Sequence, residues 1–107
     1  MGLKDDDYDL FSAALEALRA DGPSLGRPLV DTLTGARHKN FKELRPDSSG
    51  RTEIRILFAF DPCRQAILLV AGDKAGAWKK WYPKNIPLAE ERLDGHLQAL
   101  RSTPPGA

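Results

Sequence analysis

A single cysteine, Cys63, stands in this chain of 107 residues, which excludes an internal disulfide. The two histidines, His38 and His96, lie far apart, so no Cys/His spacing of the kind that holds zinc is present. Cys63 falls in a turn, Asp61-Pro62-Cys63-Arg64, with no base implied beside it, and reads as incidental rather than as a nucleophile. Long apolar runs are also missing: the longest, residues 66–72, falls well short of the roughly 20 residues a spanning helix needs. The opening Met1-Gly2-Leu3-Lys4-Asp5-Asp6-Asp7 has no apolar core of a secretory signal, so a soluble, cytoplasmic protein with no membrane association is expected. The length bounds a single domain, assigned to residues 1–101 with 102–107 as a disordered tail rich in Pro and Gly, and excludes enzymes built from separate cofactor and substrate domains. No cofactor or metal is implied by any motif.

Net charge is nearly absent too, at +1 from 16 basic and 15 acidic side chains. It is unevenly spread. Residues 1–34 balance to −4 and residues 35–84 to +6, while residues 85–107 add −1. Such asymmetry in one small domain points to a polyanion-facing middle segment.

Over residues 6–20, Leu10, Phe11, Ala14, Leu15 and Leu18 recur at helical spacing, with Asp5, Asp6 and Asp7 at the N-terminus and Gly22-Pro23 as the stop. The three aspartates read as capping groups rather than metal ligands. Residues 29–33 fit either a short helical turn or an extended piece. From Phe41 the period changes to two: residues 41–45 read as a short strand, 52–60 as a long one and 65–71 as an apolar strand, central and covered on both faces. The expected sheet is thus a three-stranded antiparallel meander. On the long strand Ile54, Ile56, Phe58 and Phe60 share one face, leaving Glu53, Arg55, Leu57 and Ala59 on the other. Trp78 and Trp81 suggest a short helix closed by Pro83, followed by a final helix from about 86 to 100 with Ile86, Ala89, Leu93, Leu97 and Leu100 as its buried stripe. The class is α+β, a sheet packed against N- and C-terminal helices.

Pairing Glu43 opposite Arg55 would put Glu43, Arg45 and Arg55 together on an exposed sheet face, with Lys74, Lys79, Lys80 and Tyr82 following close by and Arg37, His38, Lys39 and Lys42 flanking the first strand. Cations beside aromatic rings suit single-stranded RNA, because cations hold phosphates and rings stack unpaired bases; Trp78 and Trp81 serve either in stacking or in the core. Metal-free cleavage of RNA needs a base for the 2′-hydroxyl, cations for the charge at phosphorus and a donor to the leaving oxygen. Arginines fill the second role. A lysine or tyrosine becomes a base only where neighbouring cations depress its pKa; His38 is a second choice.

The ordered segments Phe41-Lys42-Glu43-Leu44-Arg45, Glu53-Ile54-Arg55-Ile56-Leu57-Phe58-Ala59-Phe60, Leu69-Val70-Ala71-Gly72-Asp73-Lys74 and Trp78-Lys79-Lys80-Trp81-Tyr82 resemble the RelE/ParE toxin superfamily, nearest its HigB-like branch of phage-derived Gp49-like proteins. The similarity covers about residues 6–100. It implies a RelE-like fold and the toxin half of a type II toxin–antitoxin pair: a ribosome-dependent mRNA endoribonuclease, or mRNA interferase, that inhibits translation by cutting messenger RNA in the A site without metal. An antitoxin carrying a helix-turn-helix domain is the implied partner, together with the ribosome and mRNA. Carried over by position, the catalytic candidates are Arg45, Arg55 and Lys74, with Lys80 or Tyr82 as the C-terminal contributor; Arg37, Lys39, Lys42, Trp78 and Lys79 are the RNA-binding candidates. Well-understood relatives carry lysine where this chain has Glu43, which leaves that carboxylate to orient Arg55, act as a base or weaken activity. Compared with that pattern, the chain is expected to lack the family's first β-strand, which would leave an uncovered sheet edge open to self-association. The alternatives are a ParE-like inhibitor of DNA gyrase, and an inactive truncated toxin that only binds its antitoxin.

Overall fold

The structure, a computed structural model, describes residues 5–38, 41–47, 50, 52–76 and 78–102, with the side chains of residues 5–7 and 78 left out. The capping reading of Asp5, Asp6 and Asp7, the RNA-binding expectations for Lys39 and for the Trp78 side chain, and the tail at 103–107 therefore lie outside the described residues. Ser102, expected to open that tail, is the last residue of a helix.

Helix α1 (Asp5–Asp21) forms where the apolar period predicts it and buries Ala14 and Leu18, with Phe11 and Leu15 partly covered. It stops because Gly22 takes a left-handed φ of +56, which is inexpensive only without a Cβ. Four strands follow, β1 (Val30–Thr32), β2 (Phe41–Leu44), β3 (Ile54–Phe60) and β4 (Ala66–Asp73), paired antiparallel in the order β1-β2-β3-β4. The α+β expectation of an antiparallel sheet against helices holds, but the sheet has four strands rather than three. The added strand comes from the segment that fits a turn or an extended piece equally well. Its pairing with β2 buries Val30 beside Leu44, a tertiary contact that local pattern does not display.

The sheet separates two cores. On one face α1 meets Val30, Leu44, Ile54, Ile56 and Phe58. On the other, helix α2 (Trp78–Ser102) meets Phe41, Leu57, Ala59, Leu69 and Val70 through Trp81, Ala89 and Leu93. The doubly covered strand is consequently β3, and β4, expected to be covered on both faces, lies at an edge with Leu68 48% exposed. The apolar run misleads because β4 is bulged: Leu57 pairs with Val70 and Phe58 with Leu68, so Leu69 is an extra residue and Leu69 and Val70 are both buried. Arg92 Nη1 donates to the carbonyl of Leu69 at 2.6 Å and fixes α2 to that bulge.

A second correction concerns α2, which is continuous where two helices separated by Pro83 were expected. Pro83 and Pro87 both lie inside it. Each interior proline removes an N–H from the helix ladder at a cost of about 3 kcal/mol. Burial of Trp81 above Pro83 and of Ala89 and Leu93 below Pro87 offsets that, each large side chain contributing roughly 1.5–3 kcal/mol. Asn85 Nδ2 also donates to the Trp81 carbonyl at 2.8 Å, supporting the helix between the prolines.

The turn between β3 and β4 is organised by buried Asp61. Its Oδ1 accepts the backbone N–H groups of Cys63 and Gln65, both at 2.9 Å, and its Oδ2 meets His96 Nε2 at 2.9 Å. No helix among the described residues is long and apolar enough to cross a membrane.

Candidate functional site

Alternation along β2 and β3 puts Glu43, Arg45, Arg55 and Leu57 on one face, as the period-two reading expects. The register differs: Glu43 pairs with Leu57 and Leu44 with Ile56, so Glu43 is not opposite Arg55 but two pairs further along. The face is also not the open guanidinium-lined surface expected. Phe41, Leu57 and Ala59 lie under α2 with at most 2% exposure, and only the end of the face beyond Glu43 remains for polar groups.

At that end the charges form a chain. Arg27 Nη2 lies 3.0 Å from Asp31 Oδ2, Arg45 Nη1 3.6 Å from Asp31 Oδ2, and Arg45 Nε 3.7 Å from Glu43 Oε1. Arg55 Nε lies 3.9 Å from the same Glu43 oxygen, Arg55 Nη2 3.8 Å from Glu53 Oε2, and Lys74 Nζ 3.7 Å from that oxygen. Cations and carboxylates thus alternate across three strands and into the end of β4. The β1–β2 register sets Asp31 directly opposite Glu43, a like-charge pair that is unfavourable alone; Arg45 between the two carboxylates makes it tolerable. Arg27, Asp31 and Glu53 were not among the residues singled out from sequence. Asp31 was hidden because β1 itself was not assigned, and with it the strand that carries Asp31 against Glu43.

Glu43 is the centre of this arrangement. It is buried, at 4% exposure, and among the described residues its Oε2 and the Nε of Arg55 have no hydrogen-bond partner. Tyr82 lies beside both groups. Its pKa is pushed up to about 12, first by burial and then by the Glu43 carboxylate, with Arg55 pulling the other way. A phenol in that state is a proton donor at neutral pH; the depression by neighbouring cations that a tyrosine base needs is outweighed here by burial first and by the Glu43 carboxylate second. Lys74 Nζ stands 5.2 Å from the Tyr82 ring centroid.

Tyr82 is set in place by its neighbour. Trp81 packs on Gly72 so closely that a Cβ there would lie 2.8 Å from the indole Nε1, and the Trp81 and Tyr82 rings meet edge to face at 5.2 Å. Trp81 is therefore a core residue rather than a stacking platform. Lys80, two residues before Tyr82 and about 200° around the helix from it, is exposed, as is Lys79. Of the two C-terminal candidates, Tyr82 joins the charge chain and Lys80 does not.

The flanking candidates are dispersed. Lys42 points to the opposite face of the sheet, where Nζ lies 3.5 Å from Thr32 Oγ1. Arg37 is held by α2: Nη2 donates to Asp94 at 2.7 Å, and Nε lies 3.3 Å from Glu90. His38 Nε2 meets Asp94 at 3.0 Å, so Arg37 and His38 fasten the loop before β2 to α2 instead of joining the basic end. Arg37 holds the Asp94 carboxyl below its usual range, as Arg27 does for Asp31.

Arg27, Arg45 and Arg55, with Glu53, line an open cleft of about 490 Å³ beside Pro46, Asp47, Gly50 and Thr52. Among the described residues no three His, Cys, Asp or Glu side chains are grouped to hold a metal ion. The arrangement offers guanidinium groups for a phosphate, an un-ionised phenol as donor and a buried carboxylate between the cations.

The chain matches the model of the family described as Phage derived protein Gp49-like (DUF891) over residues 1–94. It is 57% identical over 104 residues to "Putative toxin HigB2" of Mycobacterium tuberculosis (strain ATCC 25618 / H37Rv), an overlap of 97% of this chain and 52% of that protein. It is 55% identical over 86 residues to "Putative toxin HigB3" of the same organism, covering 80% of this chain and 73% of the relative. The chain thus spans about half the length of the first of these relatives. No solved structure matches it. With a family model spanning nearly the whole chain and two relatives above half identity, the protein belongs to the phage-derived Gp49-like family and is HigB-like.

Proposed function

We propose that this protein is the toxin of a type II toxin–antitoxin pair and a ribosome-dependent endoribonuclease that cuts messenger RNA in the A site. The observation that carries the reading is the meeting of Arg45, Arg55 and Lys74 with the Tyr82 phenol around Glu43 at one open end of the sheet. In this reading the guanidinium and ammonium groups bind the scissile phosphate and stabilise its extra negative charge, and Tyr82 donates a proton to the leaving oxygen. Glu43 aligns Arg45 and Arg55. The toxin names of its relatives support the toxin part of this reading. The whole reading gives the protein a cytoplasmic setting with three partners: the ribosome, mRNA and an antitoxin with a helix-turn-helix domain.

Primer extension on a message translated in vitro tests this. Wild-type protein produces ribosome-dependent breaks, and Arg55→Ala lowers their rate by about 10²-fold, as expected for loss of a group that stabilises the transition state. Equal cleavage by the variant would remove Arg55 from the site, and gyrase inhibition without any RNA cleavage would replace the nuclease reading.

A further inference from the structure

Three carboxylates belong to the charge chain, and they differ in how firmly they are held. Asp31 accepts two hydrogen bonds from Arg27, at 3.2 and 3.0 Å, and a third from the Thr32 N–H. Glu43 is enclosed. Glu53 is neither: its side chain is 50% exposed, while the cations it meets, Arg55 and Lys74, retain only 11% and 15%. A single oxygen, Oε2, stands between them, 3.8 Å from Arg55 Nη2 and 3.7 Å from Lys74 Nζ. Both distances exceed hydrogen-bond length, so the contact is Coulombic and loose. The backbone of Glu53 is secured independently, its N–H donating to Asp73 Oδ1 at 2.9 Å and its carbonyl accepting the Lys74 N–H at 3.0 Å. The side chain can therefore turn outward without disturbing the hairpin.

We propose that Glu53 is an internal anion seated where an RNA phosphate binds between Arg55 and Lys74, and that it swings into solvent to admit the substrate. The inference rests on the ribonuclease reading and adds a residue that sets the affinity of the site. Bridging two cations with one anionic oxygen is what a phosphodiester oxygen would do at the same point, and a phosphate can improve on it with charge-assisted hydrogen bonds that the carboxylate does not reach. Glu53 also lines the cleft that opens along Arg27, Arg45 and Arg55, so its departure joins Lys74 to that cleft. While it remains, it lowers the attraction for RNA and discriminates against weakly held anions.

Removing this carboxylate should raise RNA affinity, the reverse of what loss of a binding residue does. Fluorescence anisotropy with a short 5′-labelled single-stranded RNA, at one fixed salt concentration, compares wild type, Glu53→Gln and Glu53→Ala with Glu91→Gln. Glu91 is exposed on α2 away from the chain of charges, so its variant changes net charge by the same amount. Both Glu53 variants are expected to bind about fivefold more tightly than Glu91→Gln, with a steeper loss of affinity on adding salt, because the cations they release acquire RNA phosphates as partners. Affinity no greater than that of Glu91→Gln would overturn the inference. The two readings fail separately. Wild type that cuts translated mRNA while the Glu53 variants show no excess affinity leaves the nuclease reading intact, whereas wild type that cuts nothing removes that reading whatever Glu53 does.

Discussion

At the residue scale, the site is defined by which group keeps its proton. The Tyr82 phenol, raised to about 12 from an ordinary 10.0, stays un-ionised over the range in which RNA would be handled. Below pH 10.0 it is protonated in both the folded and unfolded chain, and its contribution to stability is complete. Between there and about 12 the unfolded chain releases a proton that the folded chain retains, so stability falls as pH rises. Tyr82→Phe keeps the ring over Lys74 but lacks the hydroxyl. Thermal melts should show wild type losing stability through that alkaline window more steeply than Tyr82→Phe, and parallel curves would mean that the phenol is not perturbed. In the translation-coupled cleavage assay, the same variant should lose about 10²-fold in rate while still binding RNA, as expected of a lost proton donor. The residue types needed for this site, and the place of Glu43 on one face with Arg45 and Arg55, are visible in sequence. The burial of that carboxylate is not, because Glu43 is enclosed only through the joint cover of β1, β3 and α2.

At the element scale, everything depends on how α2 lies across the sheet. Its first turns carry Trp81 onto Gly72 of β4, and this close approach sets Tyr82 against Glu43 and Arg55. A methyl group at position 72 would lie 2.8 Å from Trp81 Nε1 and 3.3 Å from two further indole atoms. The indole is largely enclosed, at 8% exposure, and has little room to move. Gly72→Ala should therefore destabilise the protein by about 1–3 kcal/mol, the usual range for overpacking, measurable by urea unfolding. RNA cleavage should fall too, because Tyr82 moves with its neighbour. Unchanged stability would show that α2 can lift off β4 without cost. Pro83 read as a helix end in the local pattern, and the helix passes through it because Trp81 on one side and Ala89 and Leu93 on the other bury against the same face.

At the scale of the whole molecule, α2 is fastened along its length by buried or shielded carboxylates as well as by apolar contact. Arg37 and His38 reach it from the loop before β2, and Asp61 receives His96 from its third quarter. Asp61 is held below the ordinary 3.8 by His96 first and then by the N–H groups of Gln65 and Cys63, and Asp94 is lowered by Arg37. A carboxylate with a depressed folded pKa contributes its full stabilisation above the unfolded value and loses it as pH falls through the folded one. Acid should therefore weaken the protein below about pH 3.8. Asp61→Asn should melt below wild type at neutral pH, and the gap should close as the pH is taken through that range. A constant gap would assign the loss to packing alone.

Sequence by itself determined the α+β class, the first helix and its stop at Gly22, and the two faces of β3. These follow from periods of 3.6 and 2 and from a single backbone preference, all local properties. It also determined that basic residues concentrate in the middle of the chain. Tertiary structure alone decided the fourth strand, the edge position of β4, the continuity of α2 through two prolines, and above all the partners of each charge. Arg37, Lys42, Arg45 and Arg55 are alike in a charge count; Lys42 faces the other side of the sheet and Arg37 is tied to α2, while Arg45 and Arg55 meet on Glu43. Ion pairing depends on distances of a few ångströms between segments far apart in the chain, and that information exists only after the sheet has its register and the helix its seat.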